Sequence, residues 1–124
     1  MTVKTLTLAD FESTVLASPI VLVDFWAPWC GPCRAFAPVF ERSAQDHSDI
    51  VYAKVDTDAE RELAATVGIR SVPTLMAFRD GILIYSQPGA MSPAVLDDLI
   101  DQIKGLDMER VRAKIAERKA AVKA

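Results

Sequence analysis

The sequence predicts an α/β domain with a mixed central β-sheet flanked by helices, followed by an extra C-terminal helix. Three observations carry that expectation. The stretch "IVLVDFWA" (20–27) is a continuous apolar run rich in β-branched and aromatic residues, as in a strand buried on both faces of a parallel sheet. A helical pattern and a second strand pattern, "DIVYAKVD" (49–56), follow it and complete a βαβ unit. Further on, "PTLMAFRDGILIYSQ" (73–87) reads as a hairpin turning at Asp80-Gly81, which adds antiparallel strands to the same sheet.

Taken in order, "VKTLTL" (3–8) is a short strand and "ADFESTVLA" (9–17) a first helix, broken by Pro19. The buried strand 20–27 leads into a helix from about Pro32 to His47. Pro32 suits its first turn, where a missing N–H costs nothing. Phe36, Val39 and Phe40 give this helix an apolar face, Pro38 is expected to kink it, and His47 ends it. After strand 49–56, "AERELAATVG" (59–68) is a short helix closed by Gly68. Beyond the hairpin, "SPAVLDDLIDQIKG" (92–105) is an amphipathic helix with Ser92 as N-cap, Pro93 in its first turn and Gly105 at its end. Met76 and Met91 read as packing residues. The remaining segment is alanine-rich and helical in pattern. The domain is therefore expected over 1–105 and a helical extension over 106–124.

A chain of 124 residues fits one domain, since single domains run to ~100–150 residues. Apolar residues make up 51% and charged residues 25%, an ordinary globular balance. The net charge of −3 argues against nucleic acid as a main partner. The N-terminus "MTVKTLTLADF" has no apolar core of a signal peptide, and no apolar run approaches the roughly 20 residues that span a bilayer. A cytoplasmic monomer without membrane contact is expected. One Cys-x-x-Cys with no second pair, and a single histidine, give no metal-ligand set.

The chemistry points to "WCGPC" (29–33), which holds both cysteines of the chain. Cys30 falls where the buried strand ends and the helix begins. Unpaired N–H groups at a helix N-terminus carry partial positive charge and favour a thiolate over the ordinary thiol, whose pKa is ~8.5. Cys33 lies one turn on, on the same face, so its sulfur can reach that of Cys30. Cys30 can thus attack a substrate disulfide and Cys33 can resolve the mixed disulfide. Gly31 and Pro32 put no charge beside the thiolate, which favours a reductant over an oxidant. Asp24, within an apolar strand, is costly as a bare charge. Burial is expected to raise its pKa.

The motifs "VDFWAPWCGPC", "KVD", "GIRSVPT", "FRDG" and "PGA" occur in an order and spacing that closely resemble the thioredoxin family, over about residues 3–104. The resemblance implies the thioredoxin fold and general protein-disulfide reduction. It implies two kinds of partner: disulfide-containing protein substrates and a thioredoxin reductase. The flavin and NADPH belong to that reductase, and the chain itself needs only its Cys30–Cys33 dithiol. Asp24 resembles the family's buried acid beneath the thiols, where a raised pKa would let it take a proton from Cys33, and Lys54 resembles the lysine that pairs with it. Pro73 matches a proline that is cis in the family and faces the cysteines. The backbone of Val72 would then pair with an extended substrate segment. Trp29, Gly31, Pro32, Val72, Pro73, Gly89 and Ala90 would form a flat apolar docking patch. Trp26 is assigned only packing near the site. Arg34 follows the motif where lysine is frequent in the family, and Pro88 stiffens the loop before Gly89.

The extension has no counterpart in the minimal family fold. Residues 107–124 carry six basic and three acidic residues, a net of +3, on a body of eight basic and fourteen acidic residues. Arg110, Lys114 and Arg118 form a like-charged stripe, which disfavours an isolated helix. Met108, Val111, Ile115 and Val122 share one face, which is expected to dock near Asp97, Asp98 and Asp101. This tail motivates a second functional reading, a binding subunit recruited into an assembly through its basic helix. A third reading, an oxidant or isomerase, is disfavoured by the Gly-Pro dipeptide.

Overall fold

The computed structural model describes residues 3–123. In chain order the elements are β1 (Val3–Thr5), α1 (Leu8–Ala17), β2 (Ile20–Trp26), α2 (Gly31–Asp46), β3 (Val51–Asp56), α3 (Arg61–Thr66), β4 (Thr74–Arg79), β5 (Ile82–Pro88), α4 (Pro93–Lys104) and α5 (Met108–Lys123). The strands form one sheet in the order β1-β3-β2-β4-β5. β2 and β1 run parallel to β3, while β4 is antiparallel to both β2 and β5. The mixed sheet flanked by helices, with a fifth helix at the C-terminus, is the architecture expected.

Boundaries differ from the sequence pattern where local chemistry intervenes. The first strand stops at Thr5 because the Thr7 amide donates to Asp10 Oδ1 (2.6 Å), which starts α1 at Leu8. α3 is shorter than 59–68, being six residues long, and Gly68 follows it in the left-handed region (φ 78°). α2 continues through Pro38 to Asp46, with His47 as its C-cap.

β2 runs through the middle of the sheet, and its alternation sorts the core. Ile20 and Leu22 face a cluster built by Phe36, Phe40 and Ala44 of α2 and Leu96, Ile100 and Ile103 of α4. Val21, Val23 and Phe25 face the opposite side, against Val15 of α1 and Leu63 of α3. Successive strand residues point to opposite faces. Asp24 is therefore on the α2 side, below the N-terminus of that helix.

The extension does not dock at Asp97, Asp98 and Asp101. The Arg79 guanidinium donates to the carbonyls of Ile103 (2.7 Å), Lys104 (3.2 Å) and Leu106 (3.0 Å), tying the end of α4 to the end of β4. Arg112 then pairs with Asp80 in the β4–β5 turn (3.6 Å). These contacts steer α5 towards β5, the sheet edge. Met108 is buried and Val111 and Ile115 half-buried, whereas Val122 is 87% exposed. The expected apolar face thus packs at its start only.

Candidate active site

The redox motif sits at the junction of β2 and α2. After Trp26 the chain turns, with the Cys30 amide donating to the Ala27 carbonyl (3.2 Å). Cys30 is the N-cap of α2, with Pro32 in its first turn. Its sulfur accepts the Cys33 amide (3.2 Å), one of the donors a helix N-terminus leaves unpaired. Cys30 and Cys33 are joined as a disulfide, their Cα atoms 5.2 Å apart. Both are buried, at 4% and 3% exposure, so solvent access does not distinguish the two sulfurs. Their surroundings do. Cys30 Sγ lies 3.7 Å from the Val72 carbonyl, whereas Cys33 lines a cleft with Asp24, Trp26, Arg34, Ala37 and Lys54.

The residues expected around the cysteines come from three separate segments. Val72 packs with Trp26, Ala27, Cys30 and Cys33. The Val72–Pro73 peptide is cis, as the family resemblance implies. The Pro73 carbonyl accepts the Gly89 amide (2.8 Å), which brings Gly89 and Ala90 alongside; Pro88 is the last residue of β5, paired with Thr74, rather than part of the loop expected from the sequence. Gly89 has φ 107°, a conformation that L-residues with a Cβ rarely adopt. Gly31, Pro32, Gly89 and Ala90 are exposed. Trp29 is 68% exposed, and its indole N–H donates to Asp58 Oδ2 (3.0 Å). Asp58, on the loop after β3, is a site residue that sequence reasoning missed. It lies 29 positions from Trp29 in an acidic stretch with no distinguishing pattern.

Asp24 is 5% exposed, and its Oδ1 has no hydrogen-bond partner. Burial pushes its pKa up to about 7, against an opposing pull from the Lys54 ammonium. Asp24 and Lys54 are register partners in β2 and β3, yet they form no direct ion pair. The Lys54 Nζ lies over the Trp26 ring, 5.5 Å from its centroid. The lysine acts on Asp24 through space, and Trp26, assigned only packing from the sequence, holds that lysine. The cleft between Asp24 and Cys33 has a volume of about 110 Å³, ample for a water molecule with polar groups around it. Among the described residues, no cluster of three or more His, Cys, Asp and Glu side chains could hold a metal ion.

Residues 2–103 match the thioredoxin family. The chain belongs to that family. Its Cys30–Cys33 pair carries thioredoxin-like disulfide/dithiol redox activity, that of a protein-disulfide oxidoreductase. A thioredoxin-named protein of Streptomyces coelicolor is 49% identical over 115 residues, covering 93% of this chain and 86% of that one. Thioredoxin 1 of Synechococcus elongatus is 50% identical over 96 residues, covering 76% and 90%. Among solved structures, a mutant thioredoxin from Halobacterium salinarum superposes with a TM-score of 0.78 at 34% identity, covering 85% of this chain and 93% of that one. The Streptomyces alignment is long enough to enter the C-terminal extension, which the family match at 2–103 does not reach. Among the described residues, no helix is long and apolar enough to cross a membrane.

Proposed function

We propose that the chain is a general protein-disulfide reductant of the cytoplasm, an electron carrier recharged by a flavin- and NADPH-dependent thioredoxin reductase. The observation that carries this reading is the Cys30–Cys33 disulfide at the N-terminus of α2, above a buried Asp24 with raised proton affinity. In the dithiol form, Cys30 is the nucleophile. Helix-terminal N–H groups favour its thiolate. The thiolate attacks one sulfur of a substrate disulfide, forms the mixed disulfide and expels the first substrate thiolate. Asp24 takes the Cys33 proton, directly or across the cleft. The Cys33 thiolate then attacks Cys30 Sγ, closing the Cys30–Cys33 disulfide and releasing the second substrate thiolate. Two electrons pass to the substrate, and the reductase returns them. Lys54 pulls the Asp24 pKa down against the larger effect of burial.

Substrate docks on Trp29, Gly31, Pro32, Val72, Pro73, Gly89 and Ala90. Support comes from the convergence of these three segments around Cys30, and from the large exposure of the Trp29 ring. An extended substrate strand would hydrogen-bond to the Val72 backbone. The test is reduction of insulin disulfides with dithiothreitol as electron source. The chain is expected to accelerate precipitation of the insulin B chain in catalytic amounts. Acceleration of thiol oxidation instead, with no reduction, would assign it to the oxidants.

A second reading, recruitment into an assembly through the basic helix, is favoured by one observation. α5 and β5 enclose a groove of about 290 Å³ with an apolar floor that includes Leu83, Val111 and Ile115, and a basic wall of Lys114 and Arg118. Neither basic residue pairs with a carboxylate among the described residues. An acidic protein segment with apolar anchors complements it. The register Ile20↔Arg79 puts the β4–β5 turn at the end of β2 opposite Cys30, so the reaction needs nothing from α5. Truncation after Gly105 is expected to leave insulin reduction nearly intact and to lower urea-unfolding stability by about 2 kcal/mol, the worth of one buried methionine. A truncated chain that stays folded but loses activity would move α5 into the redox machinery.

A further inference from the structure

Arg34 is the first residue after the redox motif, and its side chain turns back over it. One guanidinium nitrogen donates to the Pro28 carbonyl (3.1 Å). Another lies 3.9 Å from where a Cβ on Gly31 would be, so the group passes over the bare backbone of that glycine. The Arg34 amide also donates to the Cys30 carbonyl (3.2 Å). Arg34 thus spans the turn between β2 and α2 with two bonds, one ending on each side of Trp29.

We infer that Arg34 is a positioning residue for substrate docking: its bond to the Pro28 carbonyl fixes the peptide that carries Trp29, and thereby the exposed ring offered to the substrate. This rests on the proposed docking role of Trp29. The ring is 68% exposed and lacks the packing that immobilises a core tryptophan. Its anchors are polar: the indole is held by Asp58, and the backbone turn by the Cys30 amide on the Ala27 carbonyl and by Arg34 on the Pro28 carbonyl. An aromatic surface held still before contact loses less freedom on binding than a mobile one. A charged donor forms a stronger bond to a carbonyl than a neutral one, and the planar guanidinium loses less entropy per bond than a flexible ammonium.

The experiment compares Arg34→Met, Arg34→Lys, Trp29→Ala and the Arg34→Met/Trp29→Ala pair in the full chain. Two substrates are used: insulin, which must dock, and neutral 2,2′-dithiodipyridine, which need not. Arg34→Met is expected to lower kcat/KM for insulin about tenfold, through KM, as for loss of one charge-assisted hydrogen bond. Arg34 also lines the Cys33 cleft, so whatever its charge contributes there is lost with both substrates alike, and the loss with insulin should exceed that with dithiodipyridine several-fold. Arg34→Lys, which can still reach the Pro28 carbonyl, should recover most of the loss. Exchange of the Cys30 amide, which is bonded to the Ala27 carbonyl in the same turn, should quicken in Arg34→Met alone. In the Trp29→Ala background, Arg34→Met should add nothing. Equal losses on both substrates, no loss on either, or no recovery by lysine would overturn the inference. So would an insulin effect that vanishes at high ionic strength, since it would mark charge steering. If Trp29→Ala itself left KM for insulin unchanged, the docking reading would fall instead.

Discussion

Cys30→Ser is expected to reduce disulfide exchange to background, and Cys33→Ser to convert the chain into a trap that holds its substrates as stable mixed disulfides. The chain has no third thiol to substitute for either cysteine. A serine hydroxyl at the N-cap would accept the same amide hydrogen bond, so the fold survives, but it cannot ionise near neutral pH. The two sulfurs are equally buried, and the division of labour rests on what each faces. Cys30 sits beside Trp29 and the Val72 carbonyl, where substrate would lie, while Cys33 faces inward to the Asp24 cleft. Non-reducing electrophoresis and intact-mass measurement after mixing with insulin read the outcome directly. The Cys33→Ser chain should accumulate the adduct and the Cys30→Ser chain none. The reverse pattern, or release from Cys33→Ser as fast as from the parent, would invert the assigned roles.

The core of the fold and the centre of the site were legible because they rest on short-range patterns. The run 20–27 is short, rich in β-branched and aromatic residues and flanked by Pro19 and Pro28, which favours a buried strand. The Cys-x-x-Cys spacing on a helix start brings the sulfurs together, whereas the place of Asp24 beneath them came from the resemblance, and the structure shows it on the face that α2 covers. The features missed are contacts between segments distant in sequence. Asp58 reaches Trp29 across 29 positions, and Arg79 reaches the Ile103 carbonyl across 24. Neither acid nor base differs in type from its solvated neighbours.

The tail illustrates why charge sign alone does not place a helix. The attraction of its basic stripe for Asp97, Asp98 and Asp101 is that of exposed pairs, worth about 0–1 kcal/mol each. Arg79 instead collects three carbonyls at and beyond the end of α4 with one guanidinium, which fixes where the chain leaves that helix. A strong local cap overrides weak surface electrostatics. Lys54 shows the same limit at the site. Its register partner is Asp24, as a βαβ unit allows, but the ammonium remains over Trp26, where it keeps partial contact with water.

Asp24→Asn is expected to slow the chemistry and stabilise the fold. In the parent chain, the carboxylate that accepts the Cys33 proton forms as pH rises through about 7. Resolution of the mixed disulfide should therefore accelerate through that range. In Asp24→Asn it should slow by about 10²-fold near neutral pH and recover only at higher pH, as the buried Cys33 thiol ionises unaided. The effect on stability follows from the same raised pKa. The unfolded chain releases the Asp24 proton at its ordinary value of about 3.9, whereas the folded chain keeps it until about 7. Between these values the native state binds more protons, so stability is fully present below pH 4, falls as pH rises to about 7, and is flat beyond. The whole of that rise corresponds to roughly 4 kcal/mol at most. Asparagine has no such slope. Urea unfolding of the oxidised proteins from pH 4 to 9 isolates this contribution, because all other titrating groups are common to both chains. The mutant should match the parent within about 1 kcal/mol at pH 4 and exceed it by about 2–4 kcal/mol at pH 8. A difference that stays constant across this range, together with unaltered resolution kinetics, would remove Asp24 from the proton path and leave Cys33 to ionise through solvent.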